Sequence, residues 1–363
     1  KGNKFDGNKY IEEALSKGAK AIIYSGSLKK KYSNTILIKV DDTRSKLAEI
    51  SSKFFKKKPK NIIAVTGTNG KTSIADFFHQ ILMLNKKPAG LIGTLGFKKN
   101  NNLKKRELTT SDIITLHRDL NEMKKSKIDN VILEASSHGL KQKRLDFLNL
   151  NSGIFTNLSH DHLDYHKNMN NYLSAKLILF KKLLKKNSTI ITDSEIKQYP
   201  LFKRIEKERK LNLLSIGKLG NTFKILNHKI FNSYQSIKIE YNRKIYNLKI
   251  NLYGSIQIKN LLMAVLASKM CGLNIKNIFR TINKIRSVDG RLEFVRKLPN
   301  QSRIFLDYAH TPEALKKAVI SLQEHFNKKI TLVFGCGGER DKPKRKLMGK
   351  IANKFGHKIY ITD

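Results

Sequence analysis

Tryptophan is absent from this chain, cysteine occurs only twice, and acidic residues number 29 against 72 lysines and arginines. Each shortage closes off a class of explanation. Cys271 and Cys336 are too few for a disulfide framework and lack metal-ligand spacing, which points to a reducing, cytoplasmic setting. No uncharged apolar run is long enough for membrane insertion, and no secretory leader is visible at Lys1. The scarcity of carboxylates leaves a net charge of +43. A dedicated nucleic-acid binder would gather that charge in a patch, arm or helix face. Here the lysines spread over nearly every surface segment, as at Lys29 to Lys31, Lys56 to Lys58, Lys181 to Lys186 and Lys342 to Lys346. Abundant Asn, Ile and Lys without Trp fits compositional drift in an AT-rich genome. The charge therefore predicts weak nonspecific association with nucleic acid and no specific nucleic-acid partner.

What is present is a globular chain of 363 residues, 40% hydrophobic, which is long enough for two or three domains. Its organising stretch runs from Ile62 to Phe78, with the helical spacing continuing to Leu82. The apolar residues Ile62 to Val65 predict a buried strand, Thr66-Gly67-Thr68-Asn69-Gly70 a tight turn, and Ile74, Phe77, Phe78, Ile81 and Leu82 a helix. Glycines in such a turn let backbone N–H groups converge on a phosphate, and the helix N-terminus favours the anion. Lys71 would meet the β/γ phosphates and the Thr72 hydroxyl a Mg²⁺ ion. Val65 stands where the longer P-loop pattern has its first glycine, so the match is to a shorter variant. The plain alternative is a strand–turn–helix junction with a solvated lysine.

Residues 1–58 read as a small unit with a helical face ending at Gly18 and strands at Ala21 to Tyr24 and Thr35 to Val40. Over 59–287, apolar strands alternate with amphipathic helices, the layout of a doubly wound parallel sheet whose ligands bind beyond the carboxyl ends of the strands. Residues 221–254, alternating and Tyr- and Ile-rich, suggest a small antiparallel insertion, and Leu261 to Met270 a strongly apolar helix. From 288 to 363 a third unit predicts a βαβ pattern with strands at Arg303 to Leu306 and Ile330 to Phe334 around a helix at Glu313 to Leu322. Residues are expected to be missing at both ends, because the first unit opens without a strand and the last ends on one.

Glu134, at the tip of the strand Val131 to Leu133, suits a Mg²⁺ ligand; a solvated strand end is the alternative. His162 and His166 are four apart, yet Leu163 stands where a zinc HExxH motif has its glutamate. Lys176 follows on a helix, and in so lysine-rich a chain its default is a solvated side chain. Asp307 to Pro312 and Gly335 to Asp341 are two further polar strand tips, which together favour a ligand site over plain loops.

Four stretches, Thr66 to Thr72, Glu134 to Leu140, Asn157 to His166 and Asp307 to Pro312, together resemble the Mur ligases, most of all the MurE-type branch. With the Asp6-Gly7 and Gly18-Ala19 pattern, the resemblance covers nearly the whole chain. It implies an α/β fold of three domains: a UDP-substrate domain, a central doubly wound P-loop ATPase sheet and a Rossmann-like C-terminal domain. It implies ATP-dependent addition of a diamino acid to UDP-MurNAc-L-Ala-D-Glu through an acyl phosphate, by a cytoplasmic monomer using ATP and Mg²⁺. By motif, Gly67, Thr68, Asn69, Gly70, Lys71, Thr72 and Ser73 would hold ATP, with Asn157, Asn260, Arg291, Asp307 and His310 as further nucleotide contacts. Thr72 and Glu134 would bind one Mg²⁺, and His162 with a carbamylated Lys176 a second. Carbamylation turns a cation of pKa about 10.4 into an oxygen ligand for a hard ion. Thr109, Thr110, Ser136, Gln142 and Arg144 would contact the muramoyl dipeptide, and Arg340 the incoming amino acid.

The chain departs from its relatives at Leu108, where many have Asn, and at His160, where Arg is common. The motif for meso-diaminopimelate would begin at or just after Asp363, and the uridine-holding residues precede Lys1. The AT-rich character leans toward meso-diaminopimelate over L-lysine. A folylpolyglutamate synthetase fits the small N-terminal unit less well, and Ser136 to Leu140 favours the MurE type over its siblings. Intact Lys71, Glu134, His162 and Lys176 argue against a decayed relative.

Overall fold

The computed structural model describes residues 6–28, 30, 32–336 and 342–362. Its first unit holds a short helix α1 (Ile11–Ser16) and two parallel strands, β1 (Ala21–Tyr24) and β2 (Ile36–Lys39). Helix α2 (Thr43–Phe54) starts at Asp42, whose carboxylate accepts from the backbone N–H groups of Arg44 and Ser45.

The middle of the chain forms a single sheet of eleven strands. In chain order it runs β3 (Asn61–Thr66), α3 (Lys71–Leu84), β4 (Ala89–Gly93), β5 (Gly96–Lys99), β6 (Asn102–Lys104), α4 (Ile113–Lys125) and β7 (Asn130–Glu134). Then come α5 (Ser137–Lys141), β8 (Ser152–Phe155), α6 (Leu163–His166), α7 (Met169–Ile178), β9 (Thr189–Asp193), α8 (Tyr199–Arg209) and β10 (Asn212–Gly217). The strands β11 (Phe223–Ile230), β12 (Gln235–Tyr241) and β13 (Lys244–Ile250) precede α9 (Ser255–Met270) and α10 (Ile275–Thr281).

In space the order is β13-β12-β11-β10-β9-β8-β3-β7-β4-β5-β6. From β3 the chain passes to β4 on one side and returns through β7, then crosses β3 to β8 and continues outward to β9 and β10. The winding reverses at β3, so the crevice at its carboxyl end is the place such sheets bind ligands. Strand β3 is apolar from Ile62 to Val65 because both its faces are covered. Ile63 and Val65 join the core that contains Phe77, Phe78 and Ile81 of α3 and Leu261, Leu262 and Val265 of α9. Ile62 and Ala64 join the opposite core with Leu116, Leu120, Leu177 and Phe202. Helix α9 is buried on almost every side, which accounts for its strongly apolar composition.

Two expectations need amendment. Residues 221–254 are antiparallel as expected but are no separate insertion: β11 pairs with β10, and the meander extends the main sheet. A second antiparallel extension, β5 and β6, lies on the opposite edge, its tip turned by Asn100 at φ +50°. In the last unit, β15 (Arg303–Leu306) pairs with β14 (Glu293–Lys297), not with β16 (Thr331–Gly335). The reason is local: Leu298 and Ser302 close a tight turn with Gln301 at φ +67°, so the hairpin forms at little entropic cost. The βαβ unit is instead β16, α12 (Lys342–Phe355) and β17 (Lys358–Thr362), with α11 (Pro312–Phe326) packed on α12. Thr311 caps α11 and Pro312 occupies its first turn.

Candidate active site

The turn between β3 and α3 is held in a shape that glycine alone tolerates. Gly67 has φ +140°, and a Cβ there would lie 1.9 Å from Thr156 Oγ1. Gly70, at φ +91°, caps α3, and its Cβ would meet Asn260 Oδ1 at 2.6 Å. The strand beyond clamps the loop from the side. Thr68 N–H donates to the Asn157 carbonyl at 2.9 Å, and Asn69 N–H to the Asn157 side chain at 3.1 Å. Asn157 Nδ2 and Thr156 Oγ1 both donate to Asn69 O, at 3.0 and 2.6 Å. Lys71 folds back onto the loop, donating to the carbonyls of Gly67 and Thr68 at 3.0 and 2.8 Å. With Thr72 and Ser73 opening α3, the loop forms a cradle of backbone N–H groups at a helix start.

Glu134 ends β7 beside this cradle and is 1% exposed. Its carboxylate accepts from Thr72 Oγ1 at 3.1 Å, from Thr94 N–H at 2.8 Å and from Thr94 Oγ1 at 3.2 Å. Thr94 was not picked out from sequence. It follows Gly93 at the end of β4, and the strand-tip rule that singled out Glu134 would have found it.

Lys176 is 1% exposed and donates to Gly67 O at 2.7 Å, so two lysines share one carbonyl. Burial, with Lys71 adding to it, holds the Lys176 amine well below the ordinary lysine range, and Asp161 opposes only in part. The solvated default for this lysine is overturned: α7 packs it under Tyr172, whose ring lies 4.2 Å away. His162 is pushed down to about 4, by burial first and then by His138, Lys71 and Lys176 against the pull of Asp161. Its imidazole is therefore neutral at neutral pH and has a free electron pair to offer. Asp161, buried, lies 3.3 Å from His162 and 3.9 Å from His310. It stood inside the histidine run and went unassigned beside its neighbours. His166 is elsewhere engaged, its Nε2 2.9 Å from Ser137 Oγ.

The remaining candidates fall into two groups. Thr110 Oγ1 donates to Glu134 O at 2.7 Å, Ser136 N–H donates to Thr110 Oγ1 at 3.0 Å, and Arg144 donates to Thr110 O at 2.6 Å and to Gln142. Thr109 sits 3.1 Å from the Thr94 hydroxyl, so all five substrate candidates form one network against Glu134. On the other flank, Arg291 reaches Thr72 Oγ1 at 3.4 Å and lies over the Tyr308 ring. Asp307 is partly committed, accepting from Leu292 N–H at 2.8 Å. Asn260 is buried, and its Oδ1 finds no donor. A cavity of about 450 Å³ runs past Asn157 and Asn260 between β9, α9 and α11. Arg340 lies outside the described residues.

The donor set suits the groups expected here. A hydroxyl and a carboxylate beside a phosphate cradle are hard oxygen ligands of the kind Mg²⁺ takes when phosphates and water complete its shell. The orphaned Asn260 oxygen calls for a donor such as an exocyclic amine. A doubly wound sheet with a glycine phosphate loop at its switch point, a lysine on that loop and an acidic strand tip beside it defines an ATP-using α/β enzyme.

The comparisons specify the class. Residues 65–268 match the Mur ligase middle domain, and residues 290–363 match the Mur ligase glutamate ligase domain. The chain belongs to the Mur ligase family. It is 39% identical to the UDP-N-acetylmuramoyl-L-alanyl-D-glutamate--2,6-diaminopimelate ligase of Rickettsia typhi, across all of this chain and 74% of that protein. The Rhizobium meliloti enzyme of the same name is 34% identical over the same shares. A solved structure of a ligase of that name superposes with a TM-score of 0.78 at 28% identity, covering 98% of this chain and 72% of the other.

Proposed function

We propose that this protein is an ATP-dependent amide ligase that joins a diamino acid, meso-diaminopimelate in preference to L-lysine, to UDP-MurNAc-L-Ala-D-Glu. The observation that carries the reading is the convergence on Glu134. The phosphate loop reaches its carboxylate through Thr72, and the substrate-side network of Thr109, Thr110, Ser136, Gln142 and Arg144 reaches its main chain and, through Thr94, its carboxylate. In this reading phosphate and acceptor would meet at the two sides of one group, as transfer between them requires.

A carboxylate is a poor electrophile, so it must first be given a leaving group. The substrate carboxylate oxygen attacks the γ-phosphorus, the bond to the β-phosphate oxygen breaks, and ADP departs. The amine of the diamino acid then attacks the acyl carbon, inorganic phosphate leaves with the bonding pair, and the nitrogen loses a proton. In this reading Lys71, held on the loop, counters charge as it shifts from the γ to the β phosphate, and the backbone of Gly67 to Ser73 orients the chain of phosphates. Asn157, Asn260, Arg291, Asp307 and His310 take the rest of the nucleotide, and Arg340 the incoming amino acid. Mg²⁺ would neutralise phosphate oxygens, one ion held by Thr72 and Glu134 and a second by His162 and Lys176.

Lys176 would serve as such a ligand once carbamylated. Its depressed pKa favours this, because only the neutral amine adds to CO₂. The nitrogen pair bonds to carbon and a proton is lost, leaving an anionic carbamate. Residues 1–58, 59–287 and 288–363 are assigned to the muramoyl nucleotide, ATP and the amino acid respectively, in a cytoplasmic monomer. The test is ADP release with UDP-MurNAc-L-Ala-D-Glu and either meso-diaminopimelate or L-lysine. Turnover that needs the dipeptide and prefers meso-diaminopimelate is expected; turnover indifferent to the dipeptide would sink the reading.

A further inference from the structure

Thr94 has a single hydroxyl proton, and that limit gives the network a direction. Its hydroxyl donates to Glu134 Oε2 at 3.2 Å, and a carboxylate can only accept. The contact of 3.1 Å between Thr94 Oγ1 and Thr109 Oγ1 must then be a donation from Thr109 to Thr94. The line Thr109 to Thr94 to Glu134 runs one way, from the substrate network to the carboxylate. Thr72 obeys the same limit from the other side: it donates to Glu134 Oε2 and accepts from Arg291.

Packing does not explain Thr94. The residue is exposed and belongs to no apolar cluster, yet it engages both oxygens of a carboxylate that is 1% exposed. The carboxylate also has no slack. It lies over Gly93, where an added Cβ would sit 2.3 Å from Glu134 Oε1. Any movement of the Thr109–Thr110 segment is therefore felt at Glu134 twice: at its main-chain carbonyl through Thr110, and at its carboxylate through Thr94.

We infer that Thr94 is a positioning residue that links the metal-side carboxylate to the muramoyl-substrate segment, so that the muramoyl dipeptide and the metal–nucleotide tighten each other's binding. The inference rests on the function proposed above. A coupling of this kind is reciprocal, and either ligand reports it.

The test is calorimetric titration of the full chain with a non-hydrolysable ATP analogue and Mn²⁺, with and without UDP-MurNAc-L-Ala-D-Glu, alongside melting temperatures. In the wild type the dipeptide is expected to tighten the Mn²⁺–nucleotide by about fivefold or more. Thr94→Val keeps shape and backbone N–H but loses the hydroxyl; it should weaken the Mn²⁺–nucleotide about tenfold and abolish the coupling. Thr94→Ser should restore both. Coupling that survives in Thr94→Val, or a Thr94→Val defect confined to melting temperature, overturns the link. A wild type that binds both ligands without coupling overturns it as well but leaves the ligase reading intact. A wild type that binds no muramoyl dipeptide defeats that reading instead.

Discussion

The two ends of the central sheet carry cavities of opposite character. At the amino ends of β3, β8 and β9 lies the larger, about 780 Å³, lined by Lys56, Lys58, Lys60, Lys185 and Lys186 and by no carboxylate. At the carboxyl ends the cavity is about 450 Å³, and its lysines, Lys218, Lys259 and Lys317, are matched by Asp193, Glu195 and Glu324. Volume and charge both favour the wrong end. At the amino ends, asparagine side chains are paired: Asn61 Nδ2 donates to Asn130 Oδ1, and Asn151 Oδ1 accepts from Ile62 N–H. One hydroxyl there, that of Ser152, is buried without a partner, and Lys58 is committed to Ser52 Oγ and Phe147 O at 2.6 Å each, while Lys185 and Lys186 are exposed. At the carboxyl ends, left-handed glycines, an orphaned amide oxygen and two lysines on one carbonyl converge. Chemistry is marked by convergence of constrained groups, and a large basic hollow in a basic chain is mostly composition.

That contrast can be broken from either end. The largest effect is expected for Lys71→Ala, which should cut turnover roughly 10³-fold, the scale for losing a preorganised charge partner, with little change in melting temperature. A loss below about tenfold would show that the loop does not carry the transfer.

Lys176→Met should lower turnover by roughly a hundredfold, the upper range for a disturbed metal site, while raising the melting temperature. The sign follows from the depressed pKa. The folded chain holds Lys176 neutral, whereas the unfolded chain binds its proton up to the ordinary lysine pKa. In the window between the two values, stability rises with pH. In CO₂-free buffer the stabilisation by Met should therefore be greatest toward the acid side of that window and shrink as pH nears 10.5. A gain that grew with pH would contradict the burial argument.

Gly67→Ala should cost about 2 kcal/mol in a denaturant titration, since its Cβ would overlap Thr156 Oγ1 and its φ is in the left-handed region. Wild-type stability in that variant would mean the loop relaxes freely. The smallest effect belongs to the other end. The pair Lys185→Gln and Lys186→Gln, which line the basic hollow, should leave turnover and KM within about twofold while lowering retention on heparin, as solvated surface charges do. A marked loss of turnover would place function at the amino ends and undo the comparison.

How far the sequence reaches differs from residue to residue. The strand, glycine turn and helix at Asn61 to Leu82 were readable because each depends on neighbours in the chain: apolar spacing, small residues and a helix start. Glu134 was readable as a strand tip, and the alternation of strands and helices was enough to indicate a doubly wound sheet. The meander's attachment to β10 and the pairing of β15 with β14 were not, since strand partners are set by contacts across the fold. Local pattern said nothing of Lys176 beyond a solvated lysine, and only the family resemblance singled it out. Its buried, proton-poor state is a property of α7 packed against the phosphate loop. Asp161 escaped notice for the same reason, since a carboxylate is ordinary until packing buries it, whereas Thr94, exposed at the tip of β4, was within reach of the strand-tip rule. The sequence by itself determined which reactive groups stand at the strand tips. Only the tertiary structure decided which of them meet and in what protonation state, because desolvation and hydrogen-bond geometry are created by packing between segments far apart in the chain.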